Sequence, residues 1–254
     1  MGKINILSFG SGSTGNSVYI EMEDYKFLID MGIGYRKIRD TLGQYDRSLD
    51  DLDAVFLTHG HSDHTKSAIP ISKHISCPVY TDRTSMYPIR DICAQRIIVK
   101  QYDPFEPAAG LQVTMFPVPH DYVQTCGFIF EGQDTKIGYV TDCGKMNEMI
   151  LSYLYGSDLV IIESNHDIEM LKHGPYPLQL QKRILSVHGH LSNVDCADTI
   201  EQLYEKGTRH FLLAHISLNN NTQEVALKTS MDKMAGKEVD IRALSDCGDD
   251  LLTY

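Results

Sequence analysis

Apolar positions along the chain fall in short blocks separated by Gly, Asp and Asn. The blocks Ile4-Asn-Ile-Leu-Ser-Phe9, Ser17-Val-Tyr-Ile-Glu-Met22 and Lys26-Phe-Leu-Ile-Asp30 predict three strands joined by tight turns. Ile38 and Leu42, one helical turn apart, predict a helix over 34–43. Asp53-Ala-Val-Phe-Leu-Thr58 is almost continuously apolar, as a strand covered on both faces would be. Further strands are predicted near 78–80, 97–100, 111–117, 126–131, 135–141, 159–162 and 209–214, and helices at 66–75, 146–155, 177–186, 193–206 and 222–235. The helix after Ser192 has the strongest signature. Ser192 stands as N-cap, Asp195 lies in the first turn, and Val194, Ala197, Ile200, Leu203 and Tyr204 recur at helical spacing. Strands and helices recurring in both halves predict an α/β fold layered as helix, sheet, sheet and helix, a four-layer αββα sandwich. No Gly/Ser/Pro-rich linker or charge block divides the chain, so residues 1–254 are expected to form a single domain.

Composition narrows what such a fold can do. With 254 residues and 42% hydrophobic content, one well-buried core is within reach. Lys and Arg number 23 against 34 Asp and Glu, a net charge of −11, which excludes a polybasic surface that grips nucleic acid broadly. Apolar runs such as Asp158-Leu-Val-Ile-Ile162 stop far short of the roughly 20 residues that span a bilayer. Met1-Gly-Lys-Ile-Asn5 has no charged region followed by an apolar one, and Ile6 stands where myristoylation wants Ser or Thr; a cytoplasmic protein is expected. Six cysteines without a C-x-x-C pair read as reduced thiols. Histidine, with 11 copies, is the residue that stands out.

Four of the donors sit together in Thr58-His59-Gly-His61-Ser-Asp63-His64, directly after an apolar strand. Extended backbone alternates its side chains, so His59 and His61 project the same way. Asp63 and His64 then turn with the chain toward the following helix. Four N and O donors this close crowd a single tetrahedral site but relax when shared between two metals. Imidazole with carboxylate suits Zn²⁺, Mn²⁺ or Fe²⁺ rather than Ca²⁺ or Cu(I). More donors follow other buried strands: His120 after 111–117, Asp142 after 135–141 and His215 after 209–214. A lone histidine after a strand is commonly structural, but three such positions beside the four-donor cluster point to a metal site.

Together these residues resemble the H-x-H-x-D-H signature, with a later His, Asp and His, of metallo-β-lactamase-fold hydrolases. The resemblance assigns His59, His61 and His120 to one metal and Asp63, His64 and His215 to the other, with Asp142 bridging. Residues Glu163-Ser-Asn-His-Asp167, Met170-Leu-Lys-His-Gly-Pro-Tyr-Pro177, Gly189-His-Leu-Ser-Asn193, Ala214-His-Ile-Ser217 and Gly10-Ser-Gly-Ser-Thr-Gly-Asn-Ser17 are similar to the YycJ/WalJ-type branch, cytoplasmic bacterial enzymes regarded as 5′→3′ DNA exonucleases. Gly60, Cys143 and Leu218-Asn219 depart from that branch at positions bordering the site.

What the resemblance implies is a dinuclear phosphodiesterase with two divalent ions, Mn²⁺ or Zn²⁺. A hydroxide between the metals would be the nucleophile, oriented by Asp63, and His190 would contact the phosphate or protonate the leaving oxygen. DNA ends carrying a 5′-phosphate are the expected substrate, with no membrane and no obligate protein partner. Gly10 to Ser17 formally matches dinucleotide and phosphate-loop patterns, but both need a helix where 17–22 predicts a strand. The loop is either a glycine-rich turn or a phosphate cradle using Ser11, Ser13 and Asn16. Asn165, His166 and Ser192 are further candidate substrate contacts, the last at a helix N-terminus that favours an anion. Lys172, His173, Lys182 and Arg183 form a modestly basic stretch, a solvated face or a DNA-facing one. The alternative enzyme is a small-molecule ester, thioester or cyclic phosphodiester hydrolase of the same fold; a non-catalytic metal scaffold is the third reading.

Overall fold

The computed structural model describes residues 3–245, 248 and 251–254. In chain order, β1 (Ile4–Gly10), β2 (Ser17–Met22), β3 (Tyr25–Ile29), β4 (Ala54–Phe56), β5 (Val79–Thr81) and β6 (Arg96–Ile98) supply most of one sheet. The other is built from β7 (Phe105–Ala108), β8 (Leu111–Pro117), β9 (Cys126–Glu131), β10 (Lys136–Val140), β11 (Leu159–Glu163), β12 (His210–Ala214) and β13 (Asp240–Ala243). The short β14 (Leu252–Thr253) returns to pair with β1, so the two seven-stranded sheets run β14-β1-β2-β3-β4-β5-β6 and β13-β12-β11-β10-β9-β8-β7. Each sheet is antiparallel through its hairpins and parallel beyond, from β3 to β6 and from β10 to β13.

Period-two alternation explains why the strands read as nearly continuous apolar runs. Ile4, Ile6, Phe27 and Phe56 face inward and meet Met115, Phe128, Phe130 and Ile161 of the opposite sheet. Phe27 stacks on Phe130 with ring centroids 4.4 Å apart. Their neighbours Leu7, Tyr19, Leu28 and Val55 face outward and pack with α1 (Tyr35–Gln44) and α3 (Ala68–Ser72) through Ile38, Leu42 and Ile71. On the far side, Val140, Val160, Ile162 and Leu213 pack with α4 (Glu148–Leu154), α7 (Asn193–Tyr204) and α8 (Gln223–Lys233). Helices therefore cover both outer faces, and the four-layer αββα sandwich is as expected.

The differences from the sequence pattern are local. The helix expected over 66–75 is only α3, because Lys66 still caps the preceding turn, α2 (Ser62–Thr65), and the Ser67 N–H bonds to Met31 O. A short α5 (Ile168–His173), capped by Asp167, precedes α6 (Leu178–Ile184); its single turn and a half is too brief to show a period. Strands β7, β13 and β14 also escaped the pattern, being edge strands with partly exposed residues, one of them interrupted by Pro107. Among the described residues no helix is long and apolar enough to cross a membrane.

Candidate metal centre

All the candidate metal donors lie just beyond the carboxyl ends of buried strands, or on the turn that follows one. Strand β4 runs into Thr58, His59 and His61, and α2 then presents Asp63 and His64. Strand β8 leads to His120, β10 to Asp142 and β12 to His215. The parallel register β10-β11-β12 sets Val140 opposite Ile162 and Glu163 opposite Ala214, which brings Asp142, Glu163 and His215 to the same edge. Asp30, Asp142 and His215 all have left-handed backbone, with φ of 62°, 53° and 55°. Such non-glycine conformations cost on the order of 1–3 kcal/mol each and are held only where surroundings over-determine them. At His215 the constraint is visible: its N–H donates to Ser11 Oγ at 2.8 Å, from the loop after β1.

The donors converge in overlapping groups. His59, His61 and His120 each offer one nitrogen, all within 4.8 Å of one another; so do the donors of Asp63, His64 and His215, and those of His59, His64 and Asp142. His59 Nε2 and His61 Nδ1 are 2.9 Å apart. His64 Nε2 lies 3.3 Å from Asp63 Oδ2 and 3.4 Å from Asp142 Oδ2, while Asp142 Oδ1 is 3.8 Å from His120 Nε2. Asp142 thus stands between the two sets. Asp142 Oδ2 and His215 Nε2 are buried without any hydrogen-bond partner. Orphaned buried polar atoms are costly, and a divalent cation among these imidazoles and carboxylates is the group that would satisfy them once the His215 ring gives up its extra proton. The donor set fits the metal its chemistry implies.

Behind the donors lie residues that fix them. Asp30 Oδ2 is 2.7 Å from His64 Nδ1, and the same carboxylate accepts the backbone N–H and the hydroxyl of Thr58. Glu163 Oε1 is 2.7 Å from His215 Nδ1 and 2.8 Å from His190 Nδ1, and its Oε2 accepts the N–H groups of Cys143 and Leu191. His120 Nδ1 faces Gly189 O at 3.0 Å, and His59 Nδ1 faces the Thr58 hydroxyl at 3.1 Å. Burial, reinforced by the neighbouring His64 and His120, keeps His59 well below the usual imidazole range, so its lone pair is free. For His215 burial acts downward too, but Asp142 and Glu163 outweigh it and lift the group to about 9. Burial raises and the His190 and His215 rings lower Glu163, with the rings prevailing. Neither Asp30 nor Glu163 was singled out from sequence, although each ends an apolar strand, the signal that picked out Asp142 and His215.

Beside these donors is a cleft of about 170 Å³ lined by His61, Asp63, His120, Asp142 and His215 together with Ser13, Asn165, Tyr176, Arg183, Ile184, His190 and Ser217. Of the expected substrate contacts, Ser13, Asn165 and His190 line it. Asn16 does not, but its Nδ2 lies 3.2 Å from Asp63 Oδ2 and 3.0 Å from His64 Nε2, while its Oδ1 takes the Gly12 N–H, so it braces the loop against α2. Three other candidates do not line the cleft. Ser11 accepts the His215 N–H, Ser192 caps α7 through the Asp195 N–H, and the buried His166 ring makes no hydrogen bond, with desolvation holding it down to about 4. Asn165 spends its Nδ2 on His215 O at 2.9 Å rather than capping α5. Of the basic stretch, Lys172 pairs with Glu169 on the surface, and Arg183 turns into the cleft.

Two glycines owe their identity to this packing. A Cβ on Gly32 would fall 1.6 Å from Asp63 O, so only glycine lets that loop meet α2. At Gly60 a Cβ would meet the Tyr122 hydroxyl at 2.1 Å; the phenol ring packs edge-on against His59 and His61, with centroids 5.5 and 4.9 Å away. Cys143 is buried in the outer core with Ile150 and Leu151, directed away from the donors.

The fold and this donor set define a class. Residues 25–216 match the family described as the beta-lactamase superfamily domain, and the chain belongs to it: it is a metal-dependent hydrolase of the metallo-β-lactamase fold. Within that superfamily it belongs to the YycJ/WalJ-type branch. It is 30% identical over 220 residues to Exodeoxyribonuclease YycJ of Bacillus anthracis, covering 85% of this chain and 83% of that one. Against Exodeoxyribonuclease WalJ of Streptococcus pneumoniae serotype 2 the identity is 29% over 245 residues, 94% of this chain and 90% of that one. The solved structure of the metallo-beta-lactamase fold protein YhfI from Bacillus subtilis shares the fold, with a TM-score of 0.75 over 100% of both chains at 16% identity.

Proposed function

We propose that this chain is a single-domain, cytoplasmic, dinuclear phosphodiesterase that removes nucleotides from the 5′ end of DNA. The observation that carries the reading is the convergence of His61, Asp63, His120, Asp142 and His215 with His190 on one open cleft. His59, His61 and His120 would hold one cation, Asp63, His64 and His215 the other, and Asp142 both; Zn²⁺ and Mn²⁺ suit these donors. Bound there, the cations supply Lewis acidity toward a phosphate and make water acidic enough to attack near neutral pH.

The chain's own residues do the rest. Asp63, braced by Asn16, can orient the attacking water. His190 has its Nδ1 engaged by Glu163, which leaves Nε2 as the nitrogen to hand a proton to the departing oxygen. Ser13 at the cleft edge can donate to a non-bridging oxygen. A net charge of −11 argues against a long electrostatic channel, and an enzyme that grips one strand end needs few phosphate contacts. The relatives named as exodeoxyribonucleases favour DNA ends as substrate.

A second reading, hydrolysis of a small ester, thioester or cyclic phosphodiester, is favoured by the modest cleft, which accommodates one diester more readily than a strand. One experiment separates the two. Metal-loaded protein is incubated with end-labelled 5′-phosphorylated single- and double-stranded DNA, bis-p-nitrophenyl phosphate and a thioester. Stepwise release of nucleotides from the 5′ end is the expected result; turnover of a small substrate with DNA left intact would replace the first reading by the second.

A further inference from the structure

Arg183, on the last turns of α6, is the sole Lys or Arg among the residues lining the cleft. Its Nε and Nη2 both reach one carboxylate oxygen, Asp121 Oδ2. The other oxygen, Oδ1, lies 3.2 Å from His120 Nε2 and 3.8 Å from His61 Nε2. One tethered carboxylate therefore sits where a permanently charged guanidinium and the edges of two donor histidines converge. That is an anion position, filled by the protein itself. The pair is at the mouth, with the Arg183 side chain 55% exposed, so solute can reach it. An ion pair this exposed is weak and readily exchanged. A phosphate brings more charge and more oxygens than a carboxylate and matches the planar guanidinium fork with two parallel bonds.

We propose that Arg183 clamps a phosphate group of the substrate and that Asp121 is its resting partner, displaced when the phosphate enters. The substrate class rests on the phosphodiesterase reading above; the exchange of anions at Arg183 does not require that the substrate be DNA. It also gives the cleft selectivity, because an uncharged ester has nothing with which to displace Asp121.

The test uses the full chain in two states. In chelator, where no turnover occurs, binding of a 3′-labelled single strand with a 5′-phosphate is followed by anisotropy, with inorganic phosphate as competitor. Removing a charge-assisted contact in R183A is expected to weaken binding about tenfold, with R183K intermediate because a lysine cannot make the fork. D121N is expected to tighten binding, and that gain should vanish in the R183A/D121N double variant, the coupling that identifies the two as one device. With metal restored, R183A should raise KM about tenfold while kcat changes less than about threefold, the split expected of a group that binds ground and transition states alike. Metal content by elemental analysis should be equal in all variants. Unchanged affinity in both R183A and R183K, a D121N gain that persists without Arg183, or metal loss in D121N would each overturn the proposal. Should the wild type leave DNA intact, the exonuclease reading falls alone: the clamp is then read on bis-p-nitrophenyl phosphate, where the same ordering of KM supports it and equal KM values overturn it.

Discussion

The two sides of the centre are built differently. On one side His59 and His120 are backed by neutral oxygens, the Thr58 hydroxyl and the Gly189 carbonyl, and the His61 side chain is 35% exposed. On the other, His64 and His215 are fully enclosed and backed by the buried carboxylates of Asp30 and Glu163. A carboxylate behind an imidazole fixes its tautomer and raises its basicity. The contrast appears in the ring nitrogens themselves: His59 is driven well below its ordinary range, whereas His215 is lifted to about 9. The lesson is a difference in support more than in access. The Asp63/His64/His215 side is anchored by buried carboxylates, the His59/His61/His120 side is the more open through His61 alone, and both send donors to the cleft, His61 and His120 from one and Asp63 and His215 from the other.

The sharpest way to break this comparison is to remove the residue common to both sides. Asp142→Ala should abolish turnover, a loss of at least about a thousandfold, and weaken metal retention on both sides; unchanged activity would take Asp142 out of the bridging role. His190→Ala should lower kcat by about 10²–10⁴-fold yet leave both sides loaded, which elemental analysis checks, since a proton donor is lost but no metal donor. Metal release in that variant would make His190 a ligand. Glu163→Gln and Asp30→Asn should weaken metal binding on the anchored side by about 10–100-fold, and Thr58→Val, whose hydroxyl touches both His59 and the Asp30 carboxylate, should cost less and spread its loss over both sides. Equal losses across the three would erase the distinction drawn here.

Acidity offers a milder probe. Because Asp142 and Glu163 raise His215, with His64 and burial opposing, its proton must leave before a cation can bind. His64 on the same side is also held well above the usual imidazole range, burial opposing but Asp30 and Asp142 prevailing, so affinity there should climb with pH by up to about a hundredfold per unit where both rings titrate, and keep rising past about pH 9. The open side, with His59 already neutral, should stay flat over the neutral range. Metal titrations from pH 6 to 10 separate the two. The smallest effect is expected at Gly60→Ala, where the added methyl must push back the Tyr122 phenol and the Pro88 ring without touching a metal donor, for a loss of activity of about tenfold at most.

Much of this architecture was legible in the sequence because each buried strand announces itself by its apolar alternation, and each donor stands where such a run stops. The cluster from His59 to His64 and the isolated His120, Asp142 and His215 were found that way, and the structure brings them together. Asp30 and Glu163 end strands in the same manner but were not taken as site residues: Asp30 has no neighbouring imidazole in sequence to mark it, and in Glu163-Ser-Asn-His-Asp167 the candidates drawn were Asn165 and His166, because the histidines that Glu163 serves, His190 and His215, lie far along the chain. Ser11, read from its Gly/Ser-rich loop, and Ser192, read from its place at a helix N-terminus, do not line the cleft: Ser11 accepts the His215 N–H and Ser192 caps α7 as the sequence predicts. Arg183 was visible in sequence only as one of several cations on a stretch read as a solvated or a DNA-facing face. Its turn into the cleft depends on the packing of α6, which no local pattern encodes.

The central claim is that two cations share Asp142. Elemental analysis of protein reconstituted with Zn²⁺ or Mn²⁺, combined with anomalous diffraction from the same crystals, tests it directly. The account expects two ions per chain, one beside His59, His61 and His120 and one beside Asp63, His64 and His215, with an Asp142 oxygen between them. A single ion at saturation, or two ions with Asp142 turned away from both, would contradict it.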